Sequence, residues 1–310
     1  MASPNMGLSE LTLSPRLVKL TPRSGISIRR TLPHRSIRTI GAWCFVDHYG
    51  PTDQANAMSV GAHPHTGLQT VSWLFSGEIE HRDSLGSVQV IKPGELNLMT
   101  SGFGIAHSEL SVKKEIQLHG VQLWVVLPEK DRNTSPAFAH HADLPVFDFG
   151  SVKIRLIMGE LLGHQSQAKT FTPLVGAELF FKDASTVDFS LENDFEYGFL
   201  VDTGSVAING QEVAEGSLHY IPCGSEVVSI SSSKNSRIML LGGEPFEEAI
   251  VMWWNFIGRT HDEIVEMRDA WENGLPRFAH FEDKLDARIP APEMPNIRLT
   301  PRSNSALFQR

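Results

Sequence analysis

The chain has 310 residues, 41% hydrophobic and 20% charged, which is the balance of an ordinary globular protein with room for two compact domains. A formal net charge of −9 disfavours direct binding to nucleic acid phosphate, and the longest apolar stretch, Ala249 to Ile257, is interrupted by Asn255 and too short for a membrane span. No basic region with an apolar core and a small-residue cleavage site opens the sequence, so a cytoplasmic location is expected. Cys44 and Cys223 are too few for a disulfide framework or a cysteine zinc site, and their apolar neighbours suit reduced, buried thiols.

From Arg16 to Val126 the chain alternates short β-branched or aromatic runs with turn residues. The runs Gln69 to Phe75, Val88 to Ile91 and Ile116 to Leu127 read as strands, separated by Ser76-Gly77, Leu85-Gly86-Ser87, Pro93-Gly94 and Ser101-Gly102-Phe103-Gly104. Residues 131–145 lack any sustained period and are expected as a linker between units 1–130 and 146–310. A second β series follows, with strands at Ala177 to Phe181, Tyr197 to Val201, Val206 to Ile208, Leu218 to Ile221 and Arg237 to Leu241, and a hairpin turn at Asn209-Gly210. Two such series suggest an internal duplication and an all-β fold of two barrels. One helix is expected late, over about His261 to Asn273: Thr260 and Glu263 form a capping box, Ile264, Met267 and Trp271 recur at helical spacing, and Gly274 follows. Beyond Ile289, prolines at 290, 292, 295 and 301 exclude regular helix or central strand.

Thirteen histidines make a single H-x-H pair unremarkable, but His63-Pro64-His65 is followed one hairpin later by His107-Ser108-Glu109. On extended chain, residues i and i+2 share a face, so the two doublets can aim three imidazoles and one carboxylate at one point. Such a set suits Fe, Mn, Ni, Cu or Zn and leaves positions open for substrate and dioxygen, which favours a catalytic or sensing metal over a closed structural zinc. His261-Asp262-Glu263 has the same spacing on a helix, where the two side chains diverge, and is set aside. His81 is balanced between a pocket residue and a solvated strand residue; His119 reads as a hydrogen-bonded core histidine, and His140 and His141 as surface. His34 and His48 have no usable partner spacing.

The ordered motifs resemble the pirin family of the cupin superfamily. They are Gly61 to Val71 with His63-Pro64-His65, His81-Arg82-Asp83-Ser84-Leu85-Gly86, Pro93-Gly94-Glu95-Leu96, Met99 to Gly102, Gly104 to Glu109, Gln122 to Pro128, Gly243-Glu244-Pro245 and Trp254-Asn255-Phe256. The resemblance implies a bicupin: two jelly-roll-like cupin barrels in tandem, with a metal, usually Fe(II), in the first barrel only. It assigns His63, His65, His107 and Glu109 as ligands. Thr66, Leu68 and Gln69 stand where pirins commonly carry arginine, phenylalanine and glutamate, so the pocket entrance is expected to differ, with Gln69 lining it. Two functions follow from the resemblance. One is a quercetin 2,3-dioxygenase that opens a flavonol ring with dioxygen, Glu109 doubling as proton acceptor. The alternative is an iron-dependent regulator that binds a protein partner, for which Arg23, Arg29, Arg30, Arg35 and Arg38 would form a basic patch.

Overall fold

The computed structural model describes residues 9–19, 27–52, 58–112, 117–281, 283–284 and 288–304. The first β series folds into a seven-stranded and a four-stranded sheet. The large sheet runs Ala137–His141, Leu96–Thr100, Leu68–Ser76, His119–Val126, Trp43–Tyr49, Ser27–Leu32 and Arg16–Lys19; the small one runs Ser59–His65, Ile105–Ser111, Ile79–Asp83 and Val88–Ile91. The second series repeats the plan. Its small sheet is Ser185–Ser190, Val227–Ser232, Val206–Ile208 and Gln211–Val213, and the centre of its large sheet is Leu218–Ile221, Glu196–Thr203, Ser236–Gly243 and Leu174–Phe181. Taken along the chain from Trp43 and from Leu174, the strands visit large and small sheets in the same sequence, which is the duplication seen in the turn spacing. The Asn209-Gly210 turn has both residues at positive φ (47° and 78°), as a two-residue hairpin requires.

The two large sheets face each other. Val71, Val121 and Leu123 from the first and Leu200, Met239 and Leu241 from the second belong to one continuous apolar cluster. Polar bonds cross the same interface: the Trp73 indole donates to Glu178 Oε2 (2.8 Å), the Trp43 indole to the Val175 carbonyl (3.1 Å), and the Gly41 amide to Glu196 Oε1 (2.7 Å). Strand alternation therefore gives the first large sheet two buried faces. Val71, Trp73, Val121 and Leu123 meet the second barrel, while Thr70, Ser72, Gln122 and Trp124 look into the first.

Three segments depart from a simple tandem. Leu11–Leu13 pairs with Leu218–Ile221 of the second large sheet, and Ala137–His141, inside the stretch expected as linker, extends the first large sheet beside Leu96–Thr100. The helix His261–Glu272, capped by Thr260 and Glu263, buries Ile264, Met267, Ala270 and Trp271 against the outer side of the first barrel's small sheet, in one cluster with Ala106. The chain after it has a short 3-10 turn (Pro276–Phe278) and then, over 288–304, no helix or strand. Cys44 is buried as expected, but Cys223 is only half-buried, its Sγ 3.3 Å from the Asp194 carbonyl, because it sits in the exposed turn after Leu218–Ile221. Among the described residues no helix is long and apolar enough to cross a membrane.

Candidate metal centre

His63 and His107 lie directly opposite each other in the antiparallel pair Ser59–His65 and Ile105–Ser111, and a register shift between His107 and Glu109 breaks that ladder beside them. The strands aim the rings together: centroid separations are 4.3 Å for His63 and His107, 5.0 Å for His65 and His107, and 5.1 Å for His63 and His65. Their ligand atoms form a group within 4.8 Å, and His81, His107 and Glu109 form another, so His107 joins the two. Glu109 thus sits nearer His81 than the His63 and His65 pair. His81 pairs across the sheet with Glu109 and is buried, not solvated. Asp83 Oδ2 lies 3.0 Å from its Nε2, and the Phe138 ring stacks on it at 4.4 Å. The amides of Leu85 and Ser87 donate to the other Asp83 oxygen, which pins that carboxylate in its turn.

The donor set fits a divalent cation. His63 Nδ1 is 2.9 Å from the Gly61 carbonyl, which fixes that nitrogen as the protonated one and leaves Nε2 as a free lone pair. His107 Nε2 is buried with no hydrogen-bond partner. Burial pushes the His63 pKa down to about 4, and burial with the neighbouring rings holds His65 and His107 well below the usual range, so all three are neutral near pH 7, as ligands must be. Burial raises the Glu109 carboxyl, with the Ser72 hydroxyl 3.3 Å from Oε1 opposing it. A cation would offset the cost of its buried charge.

The family described as Pirin matches residues 25–125, and the Pirin C-terminal cupin domain matches residues 177–279. The chain belongs to the pirin family. This pirin is 44% identical over 273 residues to a Pseudomonas aeruginosa protein provisionally named a quercetin 2,3-dioxygenase, covering 87% of each chain. It is 36% identical to a pirin-like protein of Caulobacter vibrioides, covering 86% of this chain and 94% of that one. The crystal structure of a quercetin 2,3-dioxygenase from Acinetobacter baumannii superposes with a TM-score of 0.89 at 39% identity, covering 94% of this chain and 98% of that one.

Gln69 does not line the metal pocket. It lies on the face of Leu68–Ser76 turned to the second barrel, where its Nε2 donates to Thr100 Oγ1 (2.9 Å) and to the Lys169 carbonyl (3.2 Å). The turn at Thr66-Gly67 (Gly67 φ +70°) carries the chain from the small sheet to the large one, so alternation counted from His65 does not carry across it. The pocket wall comes instead from Ser72, Gln122, Trp124 and Phe45. Phe45 and Trp124 stack at 3.9 Å, and the Trp124 and His65 rings meet in a T-shaped contact at 5.1 Å.

A second histidine cluster was not legible in the spacing. Asp202, from the second barrel, places Oδ1 2.7 Å from His48 Nε2 and 2.6 Å from His119 Nε2, and its Oδ2 accepts from Arg237 (3.1 Å). Arg29 lies 3.1 Å from the same His48 nitrogen. The Arg237 guanidinium and the two imidazoles already engage both carboxylate oxygens, so the arrangement is a hydrogen-bonded clasp between barrels. His119 is thereby hydrogen-bonded as expected, though only partly buried; His140 and His141 are likewise half-buried, with His140 Nδ1 2.8 Å from Asn97 Oδ1. The helical motif diverges: His261 Nδ1 accepts from the Leu299 amide, Asp262 pairs with Arg298, and Glu263 with Arg132. The strands Ser185–Ser190 and Val227–Ser232, counterparts of the two ligand strands, carry no histidine.

Proposed function

We propose that this pirin is a flavonol 2,3-dioxygenase of the quercetinase type, built around one metal held by His63, His65, His107 and Glu109. The observation that carries the reading is the meeting of three buried neutral imidazoles, one with an unpartnered Nε2, beside the stacked pair Phe45 and Trp124. A planar aromatic substrate finds a ring face there, and the relatives' names point to the same chemistry. Fe(II) bound in this set would supply a Lewis acid for the substrate's 3-oxygen and a neighbouring open position for dioxygen. Glu109, buried on the strand Ile105–Ser111 beside His107, accepts the 3-hydroxyl proton. The Asp83 and Phe138 contacts hold the His81 ring against His107, its Nδ1 3.4 Å from His107 Nδ1, and so limit rotation of that imidazole.

Arg29 and Arg30 of the arginine series do not share a face. Arg30 turns into the barrel onto Asp47 (2.6 and 2.8 Å), Arg29 donates to the Gly50 carbonyl on the opposite side, and Arg23 lies outside the described residues. Dioxygen uptake by Fe(II)-loaded protein given quercetin, with carbon monoxide released in step, tests the proposal. Fully iron-loaded protein that consumes no dioxygen with any flavonol would overturn it and turn attention to protein partners.

A further inference from the structure

Strand register sets the polar groups of the first barrel's interior in one transverse row. Arg30 lies opposite Asp47, Asp47 opposite Gln122, Gln122 opposite Ser72, and Ser72 opposite Asn97. Nearly every member is committed. Arg30 forks onto both Asp47 oxygens, Asn97 Oδ1 meets His140, and the Ser72 hydroxyl lies 3.0 Å from Gln122 Oε1 and 3.3 Å from Glu109 Oε1. Asn97 Nδ2 is buried without a partner, and Gln122 is the second exception. Its Oε1 is tied to Ser72, but its Nε2 has no hydrogen-bond partner among the described residues. Although it sits mid-strand in the sheet, Gln122 remains partly accessible, between Trp124 along the strand and Ser72 across it. An amide whose oxygen is anchored holds its N–H donors in a fixed direction, and Ser72, within reach of both side chains, sets Gln122 beside Glu109 in the same barrel interior.

We propose that Gln122 is a substrate-orienting residue: its Nε2 donates to the ring carbonyl of a planar α-hydroxy ketone whose neighbouring hydroxyl is taken by Glu109. The two ligand oxygens of such a compound are adjacent, and Ser72, whose single hydroxyl proton can go to either side chain, stands between the two protein groups that read them. A ligand ring against Phe45 and Trp124 would present that oxygen edge to them. The inference rests on the dioxygenase reading for the identity of the ligand and adds which residue selects it.

The experiment is anaerobic binding, followed by tryptophan quenching, of three ligands to metal-loaded protein: 3-hydroxyflavone, flavone, and 2-phenyl-4H-chromene, which lacks the carbonyl. Gln122→Leu should weaken the two carbonyl compounds about tenfold while chromene binding and metal content stay at the wild-type level. Gln122→Met, which keeps the length and lacks the donors without adding a charge beside Glu109, should do the same and guards against misfolding of the leucine variant. Equal losses for all three ligands, unchanged binding of the carbonyl pair, or loss of metal would each overturn the role given to Gln122. Wild-type protein that binds these ligands with this pattern but shows no turnover would leave Gln122 as stated and refute the dioxygenase reading; wild-type protein that binds none of them refutes both.

Discussion

Glu196 makes the stability of this protein depend on pH in a direction opposite to that of an ordinary ion-paired carboxylate. The side chain is fully buried at the barrel interface, where the Gly41 amide donates to Oε1 (2.7 Å) and the Tyr220 hydroxyl to Oε2 (2.8 Å). Burial outweighs both bonds and raises its pKa from 4.5 to about 7. The folded state therefore holds the proton more tightly than the unfolded chain. The contribution is fully present below pH 4.5 and is lost as pH rises through about 7. A difference of about 2.5 units at 1.36 kcal/mol each is a loss of about 3 kcal/mol across that window. Glu196→Gln keeps the shape and cannot titrate. Urea unfolding of both proteins across the window should show the glutamine variant gaining on the wild type by about 3 kcal/mol as pH rises. A constant difference, or a wild type that gains with pH relative to the variant, would refute the reasoning.

Asp202 carries the opposite sign. Burial would raise its carboxyl, but the hydrogen bonds from His119 and His48 hold it below the usual range, so its contribution is present above 3.8 and is lost as pH falls further. Asp202→Asn should cost about 3 kcal/mol at neutral pH in urea unfolding, with metal content unchanged. Gln69→Glu should set a carboxylate against the Lys169 carbonyl and lower stability by about 1 to 3 kcal/mol, leaving flavonol KM as in the wild type; a changed KM would return Gln69 to the pocket. Thr260→Ala should cost about 0.5 to 2 kcal/mol through loss of the cap, and His261→Ala should leave metal content unchanged by elemental analysis.

The sequence exposed those features whose physics is local. Turns written in Gly, Pro and Asn set strand boundaries to within a residue or two, as at Val88–Ile91 and Leu218–Ile221, and the capping box placed the helix start. The histidine doublets were visible because a period of two on extended chain is a direct statement about faces. What stayed hidden depends on contacts between distant segments. His48 and Asp202 are 154 residues apart and meet only because two large sheets stack. The facing of Gln69 was misjudged because Leu68–Ser76 is buried on both sides, so its composition carries no inside–outside alternation, and because Gly67 switches the chain between sheets. The exchange of Leu11–Leu13 into the second barrel likewise leaves no mark in the three residues that make it.

The proposed metal site lies between the strands Ser59–His65 and Ile105–Ser111, and not at the other histidine cluster. Elemental analysis of wild-type, His107→Ala and His119→Ala protein tests it directly. About one metal per chain is expected in the wild type and in His119→Ala and almost none in His107→Ala, since His107 belongs to both ligand groups of the first barrel. Metal retained in His107→Ala and lost in His119→Ala would contradict it.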